Sequence, residues 1–279
     1  MFQIELMRQE DFEFAAELAN TMDWNMAPED FQFAVTLEPE GCFVAKQDSE
    51  RVGIATCISY GTVGWFGNLI VKQNTRNHGA GSQLVKHAIE YLRNKGVKTI
   101  GLYAYPNLAV FYSKLGFVQD EDFLVLSTKS LGAMPVKTLR DVRKGNLAAV
   151  EKFDSQCFGG DRRNLLESIV LEKGNISYCL FENSVIVGYV AATVYENMAW
   201  IGPLDCKGGR QDVAISLIEA TLAKLSGKNV FLALPKRETA VIDMLLKCGF
   251  NVDFSVCRMF FGNALAKSCI YVAESLERG

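Results

Sequence analysis

Two glycines, Gly79 and Gly81, lie in the segment VKQNTRNHGAG of residues 71–81, between an apolar run and an amphipathic stretch. Because glycine has no Cβ, the backbone at these positions can approach a phosphate closely and adopt dihedral angles that other residues avoid. A helix that begins here would leave several backbone N–H groups free at its N-terminus. The chemistry that this segment predicts is the binding of an anion, and a pyrophosphate would fit it.

Two well-known phosphate-binding patterns do not describe this segment. The G-x-G-x-x-G pattern of dinucleotide-binding proteins is absent, and no G-K-[ST] follows as it would in a P-loop. Two glycines before a helix are also typical of an ordinary turn. The elements around them therefore decide what the segment indicates.

Hydrophobic periodicity predicts the elements that position this turn. The run WFGNLIV at 65–71 predicts a buried strand, and the apolar spacing over 84–92 predicts a helix that ends at Gly96. Upstream, the pattern predicts a strand, a helix and a hairpin around Asp48-Ser49, and downstream a strand, a helix and a last strand. We therefore expect an α/β (α+β) fold with a mixed, partly parallel twisted sheet and helices on both faces.

Composition and charge exclude several classes of protein. With 49% hydrophobic and 22% charged residues, the 279-residue chain is globular rather than disordered, and its length suggests about two domains. A net charge of −3 gives no positive field for nucleic acid. The apolar stretch at 185–195 is shorter than the roughly 20 residues of a membrane span, and the N-terminus has no signal-peptide pattern. We expect a cytoplasmic protein with no nucleic-acid or membrane partner.

The cysteines and histidines indicate no metal centre. The chain has no C-x-x-C pair and only two histidines, His78 and His87. We expect His78 to expose its ring and His87 to lie on the polar side of its helix. A reducing compartment predicts that all eight cysteines are reduced and mostly buried as small apolar side chains. They are Cys42, Cys57, Cys157, Cys179, Cys206, Cys248, Cys257 and Cys269.

A repeat divides the chain into two copies of one fold. The segment VFYSKLGF at 110–117 is echoed by DMLLKCGF at 243–250, an offset of 133 residues. The same offset places Phe123 of a predicted strand on Val256 of another. Self-similarity of this kind indicates a duplicated structural unit.

The linker between the copies is small and polar. The segment STKSLGAMP at 127–135 ends in a proline that precedes the first strand of the second copy. We place the join near 128–135. The predicted domains are residues 1–128 and 135–279.

The first copy resembles the GCN5-related N-acetyltransferase (GNAT) superfamily. The acyl-CoA loop of that superfamily reads [Q/R]-x-x-G-x-[G/A], and RNHGAG at 76–81 matches it after the strand at 65–71. The segment NLAVFYSKLGF at 107–117 resembles a second signature, an Asn and a Tyr on a helix that closes in Gly-Phe. The chain departs from the pattern at Gln73, where proline is common, and at Asn77, where glycine is common.

A narrower resemblance is to a two-domain subfamily whose second copy is a diverged acetyltransferase-like domain. The first copy carries its Asp23-Trp24-Asn25 and the EPEGCF of 38–43. The second copy carries FGGDRRNLL at 158–166, WIGPL at 200–204 and RMFFG at 258–262. The resemblance covers essentially the whole chain and implies tandem GNAT folds.

The resemblance implies a cleft for acetyl-CoA as cosubstrate, with no metal. The strand at 69–71 would splay from the strand at 99–104, and the N–H groups of 77–82 would hold the pyrophosphate. A backbone N–H near Leu69 or Ile70 would face the developing oxyanion, and Tyr112 would protonate the leaving thiolate. The implied cofactor-binding residues are Leu69, Ile70, Val71, Arg76, Asn77, His78, Gly79, Ala80, Gly81, Ser82, Asn107 and Tyr112, with Tyr112 also catalytic.

The implied acceptor is the amine of a small molecule, acetylated by direct attack in a ternary complex. The resemblance places Trp24, Asn25, Glu29 and Asn68 on the acceptor side. No residue is distinguished as the general base, for which Asp23, Glu29, Asp30 and Glu38 stay open. A protein or peptide acceptor and a non-catalytic acyl-CoA-binding module are the alternatives, and the oligomeric state is not predicted.

The second copy lacks the chemistry of the first. The offset of 133 gives the residues of the second copy that correspond to these positions. One loop glycine is replaced by a carboxylate, which would repel a pyrophosphate, and the tyrosine is replaced by a leucine, which has no titratable proton. The residues at the positions of Gly79, Gly81, Asn107 and Tyr112 are Asp212, Ala214, Ala240 and Leu245. We predict that this copy is a structural or substrate-recognition partner, with an interdomain pocket lined by residues 161–163, Trp24, Phe158 and Tyr178.

Overall fold

The two copies repeat one order of elements. In the computed structural model, which describes residues 2–129 and 139–279, each copy runs strand, two helices, three strands, helix, strand, helix, strand. The first copy consists of β1 (Gln3–Leu6), α1 (Phe12–Asn20), α2 (Pro28–Leu37), β2 (Cys42–Gln47), β3 (Glu50–Tyr60), β4 (Val63–Val71), α3 (Ala80–Asn94), β5 (Thr99–Ala104), α4 (Ala109–Ser113) and β6 (Val118–Lys129). This order confirms the predicted fold class.

The second copy follows the same plan and adds one strand. It consists of β7 (Arg140–Asp141), α5 (Lys144–Phe158), α6 (Arg163–Val170), β8 (Ile176–Glu182), β9 (Val185–Val194), β10 (Met198–Lys207), α7 (Gln211–Leu222), β11 (Asn229–Pro235), α8 (Thr239–Lys247), β12 (Asn251–Phe261) and β13 (Cys269–Val272). The join predicted near 128–135 lies mostly outside the described residues, and the domain limits at 128 and 135 stay predictions.

A single mixed sheet runs through both copies. Among the described residues its order is β1-β2-β3-β4-β5-β12-β6-β11-β10-β9-β8-β7, with β13 paired to β10. In each copy the early strands are antiparallel, and one parallel pair follows, β4 with β5 and β10 with β11. The partly parallel sheet predicted from the sequence is confirmed.

The copies exchange their last strands. Strand β12 of the second copy pairs with β5 of the first, and β6 of the first copy pairs with β11 of the second. Strands β6 and β12 also pair with each other, with Phe123 opposite Val256, two residues related by the offset of 133. Equivalent residues that face one another mark a local two-fold relation between the copies. Each copy therefore completes the sheet of the other.

Helices cover both faces of the first copy's sheet. Ile54 and Ile70 face α1 and α2 in one core, whereas Phe66 and Val71 face α3 and α4 in another. Helices α5 and α6 of the second copy cover the rest of the α1–α2 face, where Trp65 belongs to their core. The second copy is thus packed directly over one end of β4.

Two local features show how the sequence forms these elements. The hairpin between β2 and β3 turns at Asp48 and Ser49, whose φ values of 50° and 69° are the two positive angles of a type I′ turn. Helix α2, which periodicity did not predict, begins at Pro28, whose fixed φ suits a first turn. The Asp30 carboxylate of that turn accepts the Ala27 N–H at 2.8 Å.

The prediction of eight reduced cysteines is wrong for two of them. Cys157 at the end of α5 and Cys269 at the start of β13 form a disulfide across 112 residues of sequence. The other six are free, namely Cys42, Cys57, Cys179, Cys206, Cys248 and Cys257. The sequence carries no sign of the pair, because only the packing of α5 near β13 brings them together. The cytoplasmic location stays a prediction.

Candidate functional site

Strand β4 separates from β5 along the chain. Their parallel pairing ends at Trp65 opposite Gly101, and the pairing of β4 with β3 shifts at a bulge around Asn68, whose φ is 50°. Beyond Trp65, the edge of β4 that faces β5 has no strand partner within the described ranges. The splay predicted between 69–71 and 99–104 is confirmed, and it leaves backbone groups free to bind an extended ligand.

The turn from β4 to α3 presents unpaired N–H groups. After a 3₁₀ turn at Gln73–Thr75, the backbone is left-handed at Asn77 (φ 65°) and Gly79 (φ 95°), and α3 begins at Ala80. No acceptor in the described part of the chain receives the backbone N–H groups of residues 77–82. Six free donors at the positive end of a helix are suited to an anion, and the binding of a pyrophosphate here stays a prediction.

Arg76 holds this turn against the rest of the first copy. Its Nε donates to the carbonyl oxygen of Val71 at 3.0 Å, and its Nη2 lies 3.5 Å from Sδ of Met22 after α1. The side chain is exposed, so its positive charge remains beside the anion site. Asn77 has a left-handed φ at a position where glycine is common, because asparagine tolerates this backbone conformation.

The two histidines have different environments. His78 is exposed, as expected for a residue whose backbone rather than ring serves the turn. His87 is half-buried, with its ring edge-on to Phe43 at a centroid distance of 4.7 Å. The expectation that His87 lies on the polar side of α3 is wrong. Within residues 2–129 and 139–279, no group of three or more His, Cys, Asp or Glu side chains is arranged to hold a metal ion.

Tyr112 lies in α4, on the same face as α3. Its ring packs against Phe66 of β4 at 6.5 Å and against Phe117 at 5.8 Å between centroids. Burial raises the pKa of Tyr112 well above its ordinary value of 10, so the phenol keeps its proton at neutral pH. Its Oη has no hydrogen-bond partner among the described residues, yet it is not fully enclosed as Tyr103 Oη is. The hydroxyl is therefore available to a ligand.

The first turn of α3 leaves room for a ligand beside the splay. A Cβ at Gly81 would lie 3.7 Å from both Phe111 Cζ and Val71 Cγ2, which is ordinary van der Waals contact. A longer side chain there would extend between the end of β4 and α4. Asn107 is exposed in the 3₁₀ turn before α4, and Ser82 is half-buried in the first turn of α3. The implied cofactor-binding residues thus line one continuous region, and their role stays a prediction.

Aromatic side chains border the other face of the sheet near the splay. Trp24 Nε1 donates to Tyr105 Oη at 3.2 Å, and the Tyr105 ring lies 5.7 Å from Phe254 of β12. Asn68 is buried, and its amide donates to Thr56 Oγ1 at 3.2 Å. Because β12 belongs to the second copy, both copies contribute to this side.

The candidates for a general base are dispersed. Glu38 is buried and binds Lys95 Nζ at 2.6 Å and Tyr91 Oη at 2.5 Å, so its carboxylate is already paired. The Asp30 carboxylate caps α2. The remaining candidates and the predicted acceptor residue beside them are exposed, namely Asp23, Asn25 and Glu29.

The corresponding cleft of the second copy is filled by β13. Strands β10 and β11 pair only as far as Trp200, and beyond it residues 204–207 of β10 pair antiparallel with 269–272 of β13. The next N–H, of Ala273, donates to the carbonyl oxygen of Ala233 in β11 at 2.9 Å. A strand of the protein therefore lies where the first copy has a free edge.

The residues at the second turn are unsuited to an anion. Asp212 in the first turn of α7 accepts hydrogen bonds from Arg210, which lower the pKa of Asp212 to about 2. A permanent carboxylate thus occupies the helix N-terminus. Leu245, at the position of Tyr112, is fully buried and carries no titratable proton, and Ala214 is buried while Ala240 is exposed.

Arg162 occupies the centre of a buried polar cluster in the second copy. Its Nη2 binds Asp154 at 2.5 Å and Asp205 at 3.3 Å, and its Nη1 donates to the backbone oxygen of Gly279 at 3.0 Å. The guanidinium carbon lies 4.0 Å from the centroid of the Phe158 ring. Arg162 and Phe158 therefore belong to a packed core rather than to an open pocket.

The other residues predicted for an interdomain pocket lie elsewhere. Tyr178 packs against the second copy's own core, so the prediction is wrong for this residue. Asp161 and Arg163 are exposed and form an ion pair with each other. Trp24 lies on the first copy, beside Tyr105.

A segment that the sequence did not distinguish reaches β4 from the second copy. Residues 274–279 follow β13, and the Tyr60 hydroxyl of β3 donates to the backbone oxygen of Arg278 at 3.0 Å. The side chains of Glu274 and Arg278 are buried, and Glu277 lies against Gly67. No motif marks these residues in the sequence.

Family models match both copies. Residues 4–117 match the acetyltransferase (GNAT) family, and residues 150–271 match an acetyltransferase (GNAT) domain. An uncharacterized N-acetyltransferase of Pyropia yezoensis is 31% identical over 84 residues, which cover 28% of this chain and 47% of that protein. The chain thus spans about half the length of this curated relative.

Solved structures resemble the whole chain. A candidate acetyltransferase from Pyrococcus horikoshii has a TM-score of 0.82 at 21% identity, covering 100% of this chain and 96% of its own. A GCN5-related N-acetyltransferase from Sphaerobacter thermophilus has a TM-score of 0.69 at 15% identity, covering 95% and 98%. A tandem GNAT protein from the clavulanic acid biosynthesis pathway has a TM-score of 0.66 at 14% identity, covering 95% and 100%. At these identities the likeness shows the fold.

No helix in the described part of the chain is long and apolar enough to cross a membrane.

Proposed function

The chain belongs to the GNAT acetyltransferase family and carries two GNAT domains, and on this premise we propose that it is an acetyl-CoA-dependent N-acetyltransferase for a small amine. The proposal assigns the reaction to the first copy alone. Its main support is the set of unpaired N–H groups at 77–82 beside the open edge of β4. A pyrophosphate and an amide-bearing arm are the groups that this arrangement suits.

The residues of the first copy have distinct roles in this proposal. When bound, acetyl-CoA supplies an activated acetyl thioester. The N–H groups of 77–82 hold its phosphates, and a backbone N–H near Leu69 or Ile70 binds the carbonyl oxygen as negative charge develops there. Tyr112 donates its proton to the departing sulfur, a role that suits a phenol which burial keeps protonated. No metal ion is needed for these steps.

The surroundings of β4 favour a small acceptor over a peptide. Helices α5 and α6 and residues 274–279 cover the face of the sheet beside the bulge, which narrows the approach. The aromatic side chains of Trp24, Tyr105 and Phe254 border the remaining space. An amine with an apolar body fits this border.

Acetyl transfer to a panel of primary amines tests the proposal. Purified protein is incubated with acetyl-CoA and aliphatic diamines, arylalkylamines, amino sugars or amino acids, and the products are identified by mass spectrometry. We expect at least one acetylated amine. Tyr112→Phe should lower kcat about 100-fold, the scale of general acid catalysis. It should change acetyl-CoA affinity, measured by calorimetry, far less, because the backbone N–H groups of 77–82 remain.

A tyrosine of the second copy provides the control. Tyr178→Phe should leave both kcat and acetyl-CoA affinity unchanged. Binding of acetyl-CoA without transfer to any amine would instead support a non-catalytic acyl-CoA-binding module. Transfer only to peptides would replace the small amine by a peptide acceptor.

A further inference from the structure

Residues 274–279 bring the second copy to the bulge of β4. A Cβ built on Gly67 would lie 2.5 Å from the backbone oxygen and 2.6 Å from the Cα of Glu277, distances that no side chain tolerates. Gly67 directly precedes Asn68, the residue at which β4 bulges. The absence of a side chain at Gly67 therefore allows the backbone of Glu277 to rest on β4 one residue before the bulge.

The ionic groups of this segment carry surplus negative charge. Arg278 binds both oxygens of Glu274, at 2.9 Å and 3.0 Å, and its third contact is to Glu277 Oε1 at 2.8 Å. One guanidinium thus serves two carboxylates, which leaves the three groups with a net charge of about −1. A protonated amine would balance this charge.

Glu277 is the carboxylate of this group that reaches solvent. Its side chain is 23% exposed, whereas that of Glu274 is 1% exposed. Arg278 holds Glu274 in a bidentate arrangement. Glu277 instead binds Arg278 through one oxygen, and its own backbone N–H also donates to its carboxylate. Glu277 therefore has accessible side-chain surface next to β4.

We propose that Glu277, supplied by the second copy, is the general base for the acceptor amine in the first copy. This proposal rests on the acetyltransferase function proposed above. The acceptor ammonium loses one proton to the Glu277 carboxylate, its nitrogen forms a bond to the acetyl carbon, and the carbon–sulfur bond breaks. The sulfur leaves with the electron pair and takes the proton of Tyr112. The second proton of the former ammonium then leaves the amide nitrogen and restores the Tyr112 phenol, and Glu277 releases its proton to solvent, so that charge and protons balance.

The electrostatic surroundings suit this role. Burial raises the pKa of Glu277, Arg278 lowers it, and the charges of Glu274 and of Asp30 in α2 raise it. Tyr195, the residue after β9, also faces this group, because the charge of Glu277 affects the pKa of its hydroxyl. A carboxylate whose pKa lies above its usual range is a better base near neutral pH.

Substitution of Glu277 tests the assignment with the fastest amine of the panel. Glu277→Gln should lower kcat/KM about 100-fold or more and remove the acidic limb of its pH profile, with acetyl-CoA affinity unchanged by calorimetry. Glu277→Asp keeps a carboxylate and should restore the acidic limb with an intermediate rate. Thermal melting of each variant verifies that it folds.

The matched control is Glu196→Gln, an exposed carboxylate of the same copy, which should leave the rate and the pH profile as they are. An active wild-type chain whose Glu277→Gln variant keeps its rate and its acidic limb would overturn this assignment alone. A wild-type chain that binds acetyl-CoA and acetylates nothing would overturn the assignment together with the proposed function.

Discussion

The two parallel strand pairs of this protein separate in the same way and end in opposite states. In the first copy, β4 leaves β5 after Trp65, and its edge stays open. In the second, β10 leaves β11 after Trp200, and β13 occupies the gap with a ladder of its own. The splay is therefore a property of the repeated fold, whereas an accessible groove is a property of one copy.

The two copies differ in three features that affect ligand binding. The second copy has a carboxylate at its helix N-terminus, a leucine in place of the tyrosine, and a strand in the groove. Its buried cluster around Arg162 joins α5 to β10, the elements that correspond to α1 and β4 of the first copy. In the second copy, side chains and a strand thus occupy the space that is open in the first copy.

The largest expected effect is a loss of acetyl-CoA affinity, which should follow from a substitution at the turn before α3 and not from one at the turn before α7. Gly81→Glu places a carboxylate between Phe111 and Val71, where it fills the cleft and repels phosphate. We expect acetyl-CoA affinity to fall at least about 100-fold, which is about 2.7 kcal/mol. Calorimetry on the wild type should give one site per chain.

The matched variant is Gln211→Glu, which adds a carboxylate to the first turn of α7. Its acetyl-CoA affinity should equal that of the wild type. Two sites in the wild type, or affinity that survives Gly81→Glu, would contradict the assignment of binding to the first turn.

The second prediction concerns the strand that fills the second groove. Ile270 of β13 is buried opposite Cys206 of β10, and Ile270→Ala should lower the free energy of unfolding by about 2 kcal/mol. Urea unfolding measures this loss. The stoichiometry of acetyl-CoA should stay at one, because Asp212 and Leu245 remain.

The control for this substitution is Val185→Ala, at an exposed position of β9, which should cost little. A second molecule of acetyl-CoA bound to Ile270→Ala would show that β13 alone closes the groove. The sequence changes at the second turn would then have no independent effect.

The smallest expected effect is a pH dependence of folding stability that arises from Asp205 in the buried cluster of the second copy. Burial, reinforced by the charge of Asp154, raises the pKa of Asp205 well above 3.8. The folded chain therefore holds a proton that the unfolded chain releases, so this residue's contribution to stability is lost as pH rises above about 4. Asp205→Asn cannot ionise, and its stability relative to the wild type should rise with pH by at most about 1.4 kcal/mol per unit.

Urea unfolding at several pH values measures that difference. Asp243→Asn, an exposed substitution in α8, should follow the wild-type curve. Parallel curves for Asp205→Asn and the wild type would show that Asp205 is ionised in the folded chain.

Local sequence patterns predicted the open groove of the first copy better than they predicted the filled groove of the second copy. The glycines at 79 and 81 and the apolar strand before them mark the turn, because backbone dihedrals and helix ends depend on neighbouring residues. The splay was implied by the resemblance to the GNAT superfamily, and the repeated order of elements followed from the offset of 133. Strand β13 has only four residues and no turn signal that assigns it to β10.

Features made by distant residues were not predictable from these patterns. An alternating strand pairs equally well with its own copy or with the other, so periodicity does not reveal the exchange of β6 and β12. The disulfide joins residues 112 apart, and Glu277 reaches β4 only because Gly67 lacks a side chain. Tertiary packing decides each of these contacts.

Because β6 and β12 are exchanged, each copy depends on the other for a complete sheet, and this dependence affects how the two copies evolve. A gene fragment that encodes either half alone would leave β5 or β11 with an unpaired edge, the kind of edge that promotes aggregation. Selection for the groove of the first copy therefore also preserves the second, whatever happens to its own turn. The duplicated half can lose its ligand and still be inherited as an indispensable part of the sheet.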